Sequence, residues 1–324
     1  MGKINWGIIG CGDVTEVKSG PAFNKVKNSS LIAVMRRDAE KAKDYARRHD
    51  VPKWYSNATE LINDPEVNAI YIATPPSSHE EYTIAAIQAG KPVYVEKPMT
   101  VNTASAKRMV QAAKEKNIKL CVAHYRRAQP IYNKIKQLIE DNVIGDIRYA
   151  RLELNRKPAT KEYLTMPHTG WRLDEAIAGG GIFHDISPHQ LDLMYYFFGE
   201  VGKASGYSTN QLGLYATDDI VAGTILFKNG VLFSGLWCFS APYEKDSCEI
   251  VGSEGKIIFS FFEHKPITIL KDGKADTIIF NPLQHVQQPL IERVVEYFLG
   301  KGPNPCSGNE GVIIMQLIDK FTAK

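Results

Sequence analysis

Five short apolar runs, separated by helical patterns, dominate the first 125 residues and leave few folds open. They read INWGII at 4–9, LIAVM at 31–35, AIYIA at 69–73, PVYVE at 92–96 and IKLCVA at 118–123. A strand that is apolar at nearly every position must be covered on both faces. Between the runs, apolar spacing predicts helices at about 39–49, 79–89 and 103–116. Strands alternating with helices in this way form a parallel, doubly wound sheet. The helix at 79–89 has a start signal, Ser78 as N-cap with Glu81 three residues on, and a stop signal in Gly90.

Past about residue 125 the texture changes. A helix at about 128–142 leads to a strand at 147–155, and a glycine-rich loop enters an apolar helix at 188–198. From 203 to 280 most segments read as strands. Asn229-Gly230 and Asp272-Gly273 sit between apolar runs as hairpin turns. Helices at about 287–299 and 309–321 close the chain. The second half is therefore antiparallel sheet with helices. The expected division is 1–123 and 124–324, which agrees with the two domains that 324 residues suggest.

Composition excludes several function classes. A net charge of +3 and no basic run of five residues argue against nucleic acid or a membrane surface as partner. No apolar run reaches membrane length. The start, MGKINWGIIGCG, lacks the apolar core and cleavage site of a signal peptide, and Trp6 stands where a myristoylation signal wants Ser or Thr. The five cysteines are scattered and form no CxxC, so neither a disulfide framework nor a zinc site is expected. A reducing cytoplasm is the expected location.

The first strand runs into GIIGCGDVT. Gly10 permits a tight turn, and Gly12 allows backbone to approach a pyrophosphate. Asp13 and Val14 then open a helix whose free N–H groups suit phosphate oxygens. Thr15 stands where a third glycine is usual. At the end of the second strand, a cofactor with a free ribose 2′-OH wants an acid. The chain instead has Met35, then Arg36 and Arg37. Two arginines suit a 2′-phosphate, or simply begin a surface helix. Asp38 complicates the choice, because it suits either a helix cap or an arginine partner.

Two other stretches carry candidate chemistry. PVYVEKPMT ends a buried strand on Glu96-Lys97 and locks the next residue with Pro98. GGGIFHDISPHQLDLM, at 179–194, spaces Asp185, His189 and Asp192 by 4 and 3, near one helix face. Asp185 or Ser187 suits the helix cap, Pro188 its first turn, and Leu191, Met194 and Tyr195 the core. A carboxylate beside a histidine suits a general acid/base. The same pair equally describes a helix cap beside a packed histidine. A metal set of Asp185, His189, Asp192 and His184 ranks below both, so no metal is expected.

With these motifs in hand, the sequence resembles the Gfo/Idh/MocA family of nicotinamide-dependent oxidoreductases. The resemblance runs end to end. It rests on GIIGCG, YIATPPSSH at 71–79, AIQAGKPVYVEKPM at 86–99, GWRLDEAIAGGG at 170–181, HDISPH at 184–189 and EIVGSEGKIIF at 249–259. It implies an α/β fold: a Rossmann domain followed by an α+β domain with a large, open, mainly antiparallel sheet. It implies hydride transfer at a hydroxyl or carbonyl carbon of a sugar, polyol, cyclitol or related small molecule. Lys97, Asp185 and His189 match the family's catalytic residues. Pro98 would fix the turn through a cis peptide. Lys97 would then polarise the reacting oxygen, with His189, held by Asp185, or Lys97 itself as proton carrier. Thr74 and Pro75 would wall the nicotinamide, with Glu96 and Lys97 beside it. His79 is counted with this wall, though its place in the first helical turn equally suits a structural ring. The expected cofactor is NADP(H), with NAD(H) as the second choice. Tyr125, Arg127, Trp171 and Arg172, and in a polar loop Tyr163 and His168, are candidates for substrate contact or for packing.

Two rivals remain at this stage. One is a catalytically silent nucleotide-binding sensor on the same fold. The other is a methyltransferase, which has no use for Glu96-Lys97-Pro98. Apolar residues on both faces of GTILF, VLFSGLWCF and KIIFSFF predict a homodimer or homotetramer through the C-terminal sheet.

Overall fold

The five apolar runs become strands of one parallel sheet. A computed structural model describes residues 2–166 and 170–322, apart from the Lys161 side chain. Its first elements are β1 (Ile4–Ile9), α1 (Asp13–Val17), α2 (Gly20–Phe23), β2 (Ser29–Met35), α3 (Ala39–Arg48), β3 (Lys53–Tyr55) and α4 (Ala58–Asn63). There follow β4 (Ala69–Ile72), α5 (His79–Gln88), β5 (Val93–Val95), α6 (Thr103–Glu115) and β6 (Leu120–Val122). The strand order is β3-β2-β1-β4-β5-β6, parallel throughout. β4, β5 and β6 are buried at every position, as two covered faces require. The apolar pattern missed β3 and α4. One is a three-residue edge strand and the other a six-residue helix, both too short to show a period. Ser78 stands at the N-cap position of α5, but its side chain makes no capping bond to the helix. It closes a 3₁₀ turn over Pro76–Ser78, and its hydroxyl donates to Thr74 Oγ1 at 2.8 Å.

The next elements are α7 (Pro130–Glu140), β7 (Ile147–Asn155), α8 (Lys161–Thr165), α9 (Glu175–Ala178) and α10 (Gly181–Phe198). The strands β8 (Val201–Thr209), β9 (Ile220–Phe227), β10 (Leu232–Cys238), β11 (Lys245–Gly252), β12 (Gly255–Phe259), β13 (Ile267–Lys271) and β14 (Lys274–Ile278) complete an eight-stranded sheet. Its order is β14-β13-β12-β11-β7-β10-β9-β8, and only β10 and β7 run parallel. Asp272 and Gly273 both take positive φ, 52° and 71°, and join β13 to β14 as a two-residue hairpin. One face of the sheet is packed. Trp237 meets Phe183 edge-on at 5.1 Å and donates from its indole nitrogen to Gln190 Oε1 at 2.6 Å. Phe321, in α12 (Gly308–Thr322), fills the space over Gly223, where a Cβ would stand 2.3 Å from its ring.

The helix expected at 188–198 begins seven residues earlier, at Gly181. Pro188 therefore lies inside α10 rather than in its first turn, and Ser187 and Asp185 are helical residues, not caps. Tyr195, expected in the core, is half-buried, while Leu191 and Met194 are buried.

The chain packs as two units. One holds the residues up to Arg126 together with Leu283–Met315. The other holds Arg127–Pro282 and the residues from Gln316 on. The segment 283–315, including α11 (Gln288–Phe298), is thus part of the first unit, although the sequence division placed it in the second. Its hydrogen bonds give the reason. Val122 N–H donates to Cys306 O at 2.9 Å, and Cys121 bridges Ser307, so the exposed edge of β6 is covered. Among the described residues no helix is long and apolar enough to cross a membrane.

Candidate active site

In the first unit the candidate cofactor residues gather at the carboxyl ends of β1, β2, β4 and β5. Strand order reverses direction between β1 and β4, which is where doubly wound sheets bind ligands. Gly10 has φ 94°, and a Cβ there would meet the Thr74 backbone nitrogen at 2.8 Å. Its N–H and that of Cys11 both donate to Met35 O, at 2.9 and 3.1 Å, so the glycine loop hangs from the end of β2. Gly12 is different. A Cβ there would touch nothing closer than Gly10 O at 4.0 Å, so the protein's own packing does not demand a glycine and leaves the space open. Thr15, in the third-glycine position, is wholly buried, and its hydroxyl donates to Gly12 O at 2.8 Å. Its methyl-bearing side chain therefore fits where a glycine is usual.

Arg36 donates from Nη1 to Cys11 O at 3.3 Å, which ties the second strand's end to the glycine loop. Arg37 is exposed. Asp38 resolves as the N-cap of α3, accepting from the Lys41 N–H at 3.1 Å. Asp13 and Val14 open α1, which is only five residues long before the chain breaks towards α2. Thr74 and Pro75 are half-buried at the end of β4. His79 and Glu96, counted with the cofactor wall, are turned inward instead. His79 is wholly buried and lies between Thr74 O and the carbonyls of Pro98 and Met99. Glu96 is 5% exposed and accepts from Tyr71 and Gln287. Lys97 is half-buried, and the Lys97–Pro98 peptide is cis. Tyr125 is buried in a 3₁₀ turn under the Arg126 guanidinium.

In the second unit α10 carries the other candidates. Arg172 Nε donates to Asp185 Oδ2 at 3.1 Å and stacks over Trp171, 4.6 Å from its ring centre. Tyr163 lies near both charges; burial raises its phenol pKa. These four partly exposed side chains make one polar and aromatic cluster, as the sequence brings together from three separate elements. His189 is buried, with Phe262 edge-on at 6.1 Å. Phe262 had no sequence signal. It sits on a turn held by Asp246, a buried carboxylate that accepts from the N–H groups of Phe261, Phe262 and Glu263 at 3.0, 2.5 and 3.3 Å. Arg156, salt-bridged to Glu244 at 2.7 Å, covers the Phe262 ring. His168 lies outside the described residues.

Of the two readings of Arg127, substrate contact or packing, the observed contacts match packing. Its side chain is 3% exposed and forms a two-pronged ion pair with Asp192, Nε to Oδ2 at 2.8 Å and Nη2 to Oδ1 at 2.6 Å. A buried guanidinium paired in this way has its charge balanced within the protein. Asp192, a member of the low-ranked metal set, is the carboxylate of this pair.

Residues 4–124 match the oxidoreductase family with NAD-binding Rossmann fold, and residues 132–258 match the Gfo/Idh/MocA C-terminal domain. Oxidoreductase P35 of Formosa agariphila is 48% identical over 319 residues, spanning 98% of each chain. The chain belongs to the Gfo/Idh/MocA family. A 1,5-anhydro-D-fructose reductase of Ensifer adhaerens is 26% identical over 95% of this chain and 92% of its own. Among solved structures, levoglucosan dehydrogenase in complex with NADH and levoglucosan shares the fold, with a TM-score of 0.88 at 23% identity, covering 98% of this chain and 96% of that one. This family member accordingly pairs a parallel Rossmann sheet with a large, mainly antiparallel one.

Proposed function

We propose that this protein is an NADP(H)-preferring oxidoreductase acting on a hydroxyl or carbonyl carbon of a sugar, polyol or cyclitol, in the cytoplasm. The observation that carries the reading is Lys97, half-buried at the carboxyl end of β5 beside the strand-order reversal. When bound, the nicotinamide nucleotide supplies or takes the hydride. Gly10 and Gly12 would approach its pyrophosphate, in the space that Gly12 leaves open, and Thr74 and Pro75 would wall the ring. The Lys97 ammonium stabilises oxyanion character on the reacting oxygen. His189 carries the proton, and Asp185 with Arg172, Trp171 and Tyr163 orients hydroxyls. The name of the Ensifer relative, an anhydro-ketose reductase, supports the substrate class.

Cofactor choice follows from Arg36 and Arg37. No acid stands at Met35 to repel a 2′-phosphate, and Asp38 is engaged as a helix cap. A guanidinium binds phosphate in a two-pronged way. A hydrogen bond to a charged group is worth about 1.5–3 kcal/mol, or about 10- to 150-fold in preference for NADP(H).

One experiment tests both parts: sugars, inositols and anhydro-ketoses assayed with NADPH, NADH and their oxidised forms. Lys97→Met is expected to keep nucleotide binding and lose turnover by at least about 100-fold. Arg36→Ala, which also releases the glycine loop at Cys11 O, is expected to weaken NADPH more than NADH, with a smaller effect for Arg37→Ala. Near-normal turnover of Lys97→Met would remove the lysine from the mechanism. Tight nucleotide binding without turnover on any substrate would favour a sensor. Equal losses with both nucleotides would leave Arg36 with its tie to the glycine loop and remove the arginines from 2′-phosphate recognition.

A further inference from the structure

Gln287 stands 191 positions from Glu96 in sequence, yet the two side chains meet in the first unit. Gln287 is wholly buried at the N-terminal end of α11. Its backbone N–H donates to Lys18 O at 3.2 Å, just past α1. Its side-chain Nε2 donates to Glu96 Oε1 at 2.6 Å, and its Oε1 accepts from the Tyr94 hydroxyl at 3.2 Å. The partners fix the amide's orientation, because a carboxylate only accepts. The Tyr71 hydroxyl donates to the same Glu96 oxygen at 2.6 Å. The other oxygen, Oε2, accepts from the Lys97 N–H at 3.0 Å. Burial drives the phenol pKa values of Tyr71 and Tyr94 well above 10, so both remain donors.

A buried carboxylate is costly unless its oxygens are satisfied. Here the donors converge on the residue next to Lys97, and one comes from a distant return segment. A fully satisfied buried network is rigid. We propose that Gln287 is a positioning residue for hydride transfer. By holding Glu96, which holds the Lys97 amide, it sets the direction in which the Lys97 side chain leaves β5. The inference rests on the reading of Lys97 as the group at the reacting oxygen.

The test compares Gln287→Leu, which keeps the volume and removes the donor, with the unaltered protein. Expected is a fall in kcat of about 10- to 100-fold, the scale of a slight misplacement of a catalytic group. The Kd for NADPH, by fluorescence titration, is expected to stay within about 3-fold. A second readout needs no turnover: the NMR signal of Lys97 carrying ¹³C-methyl groups, assigned by its loss in Lys97→Arg, is expected to move in Gln287→Leu. If Gln287→Leu does not fold, Tyr71→Phe removes the other donor to the same oxygen and should give the same split. An unmoved Lys97 signal, or equal losses in kcat and nucleotide affinity, would overturn the inference. Should Lys97→Met retain turnover, the reading of Lys97 fails, and the signal's response to Gln287→Leu still decides whether Gln287 orients the lysine.

Discussion

Both nitrogens of the His79 ring face backbone carbonyls. Nε2 lies 2.7 Å from Thr74 O, and Nδ1 lies 3.1 Å from Pro98 O and 3.3 Å from Met99 O. The ring thus ties the loop after β4 to the turn after β5. Burial pushes its pKa down to about 4; the facing carbonyls of Thr74, Met99 and Pro98 favour the cation and oppose this, and the Lys97 ammonium adds a smaller lowering. Burial does the same to His184, also to about 4. In the unfolded chain both rings titrate near 6.5. Between about pH 6.5 and 4 the unfolded chain takes up protons that the folded chain refuses. Stability is therefore full above that window and falls as pH is lowered through it, by on the order of 3 kcal/mol per ring. His79→Gln, whose amide still donates to a carbonyl, is expected to be less stable at pH 7.5. Its urea midpoint should converge on that of the unaltered protein towards pH 5. Parallel midpoint curves across the window would show that the ring's titration is not coupled to folding.

At the level of elements, α10 starts where it does because two glycines permit it. A Cβ on Gly180 would stand 2.1 Å from Cε1 of His184. Gly181 has φ 78°, and a Cβ there would stand 2.1 Å from Thr217 Oγ1. An alanine with left-handed backbone costs roughly 1–2 kcal/mol before any clash. Gly181→Ala should therefore lower unfolding stability by at least about 2 kcal/mol, read from urea titration. Adding Thr217→Ala should recover the clash and leave the backbone part. Full recovery in the double variant, or no loss in the single one, would contradict this account. The early start of α10 was not legible, because Pro188 and three glycines read as a boundary while the tertiary fold accepts the proline inside the helix. By contrast, the Asp272-Gly273 hairpin was legible, since its signal lies wholly within the turn residues.

For the whole molecule, association is expected through an exposed apolar row on one face of the eight-stranded sheet. Strand register places Leu226 beside Leu232 and Leu232 beside Tyr149, at 41%, 48% and 41% exposure. Leu236, on the same face of β10, is exposed as well. A contiguous apolar row of this kind on a sheet centre favours burial against another surface. A dimer or tetramer is expected by light scattering at micromolar concentration, and Leu232→Lys, at the middle of the row, should reduce the mass to that of one chain. A monomer in the unaltered protein would rule out assembly through this face.

The sequence by itself determined the alternation of strand and helix, the antiparallel second half, the glycine turn after β1 and the position of Lys97 at a strand end. Each of these is written in periods or turn chemistry only a few residues long. Only the tertiary structure decided which polar groups are committed elsewhere. Arg127 had two readings, substrate contact or packing, and its buried pair with Asp192, 65 positions away, matches the second. Asp38 had two readings until the Lys41 amide selected the cap. The return of 283–315 to the first unit, and the convergence of Gln287 on Glu96, had no local signature at all. A buried polar group must find its partners wherever the fold brings donors within reach, and no short stretch of sequence records that distance.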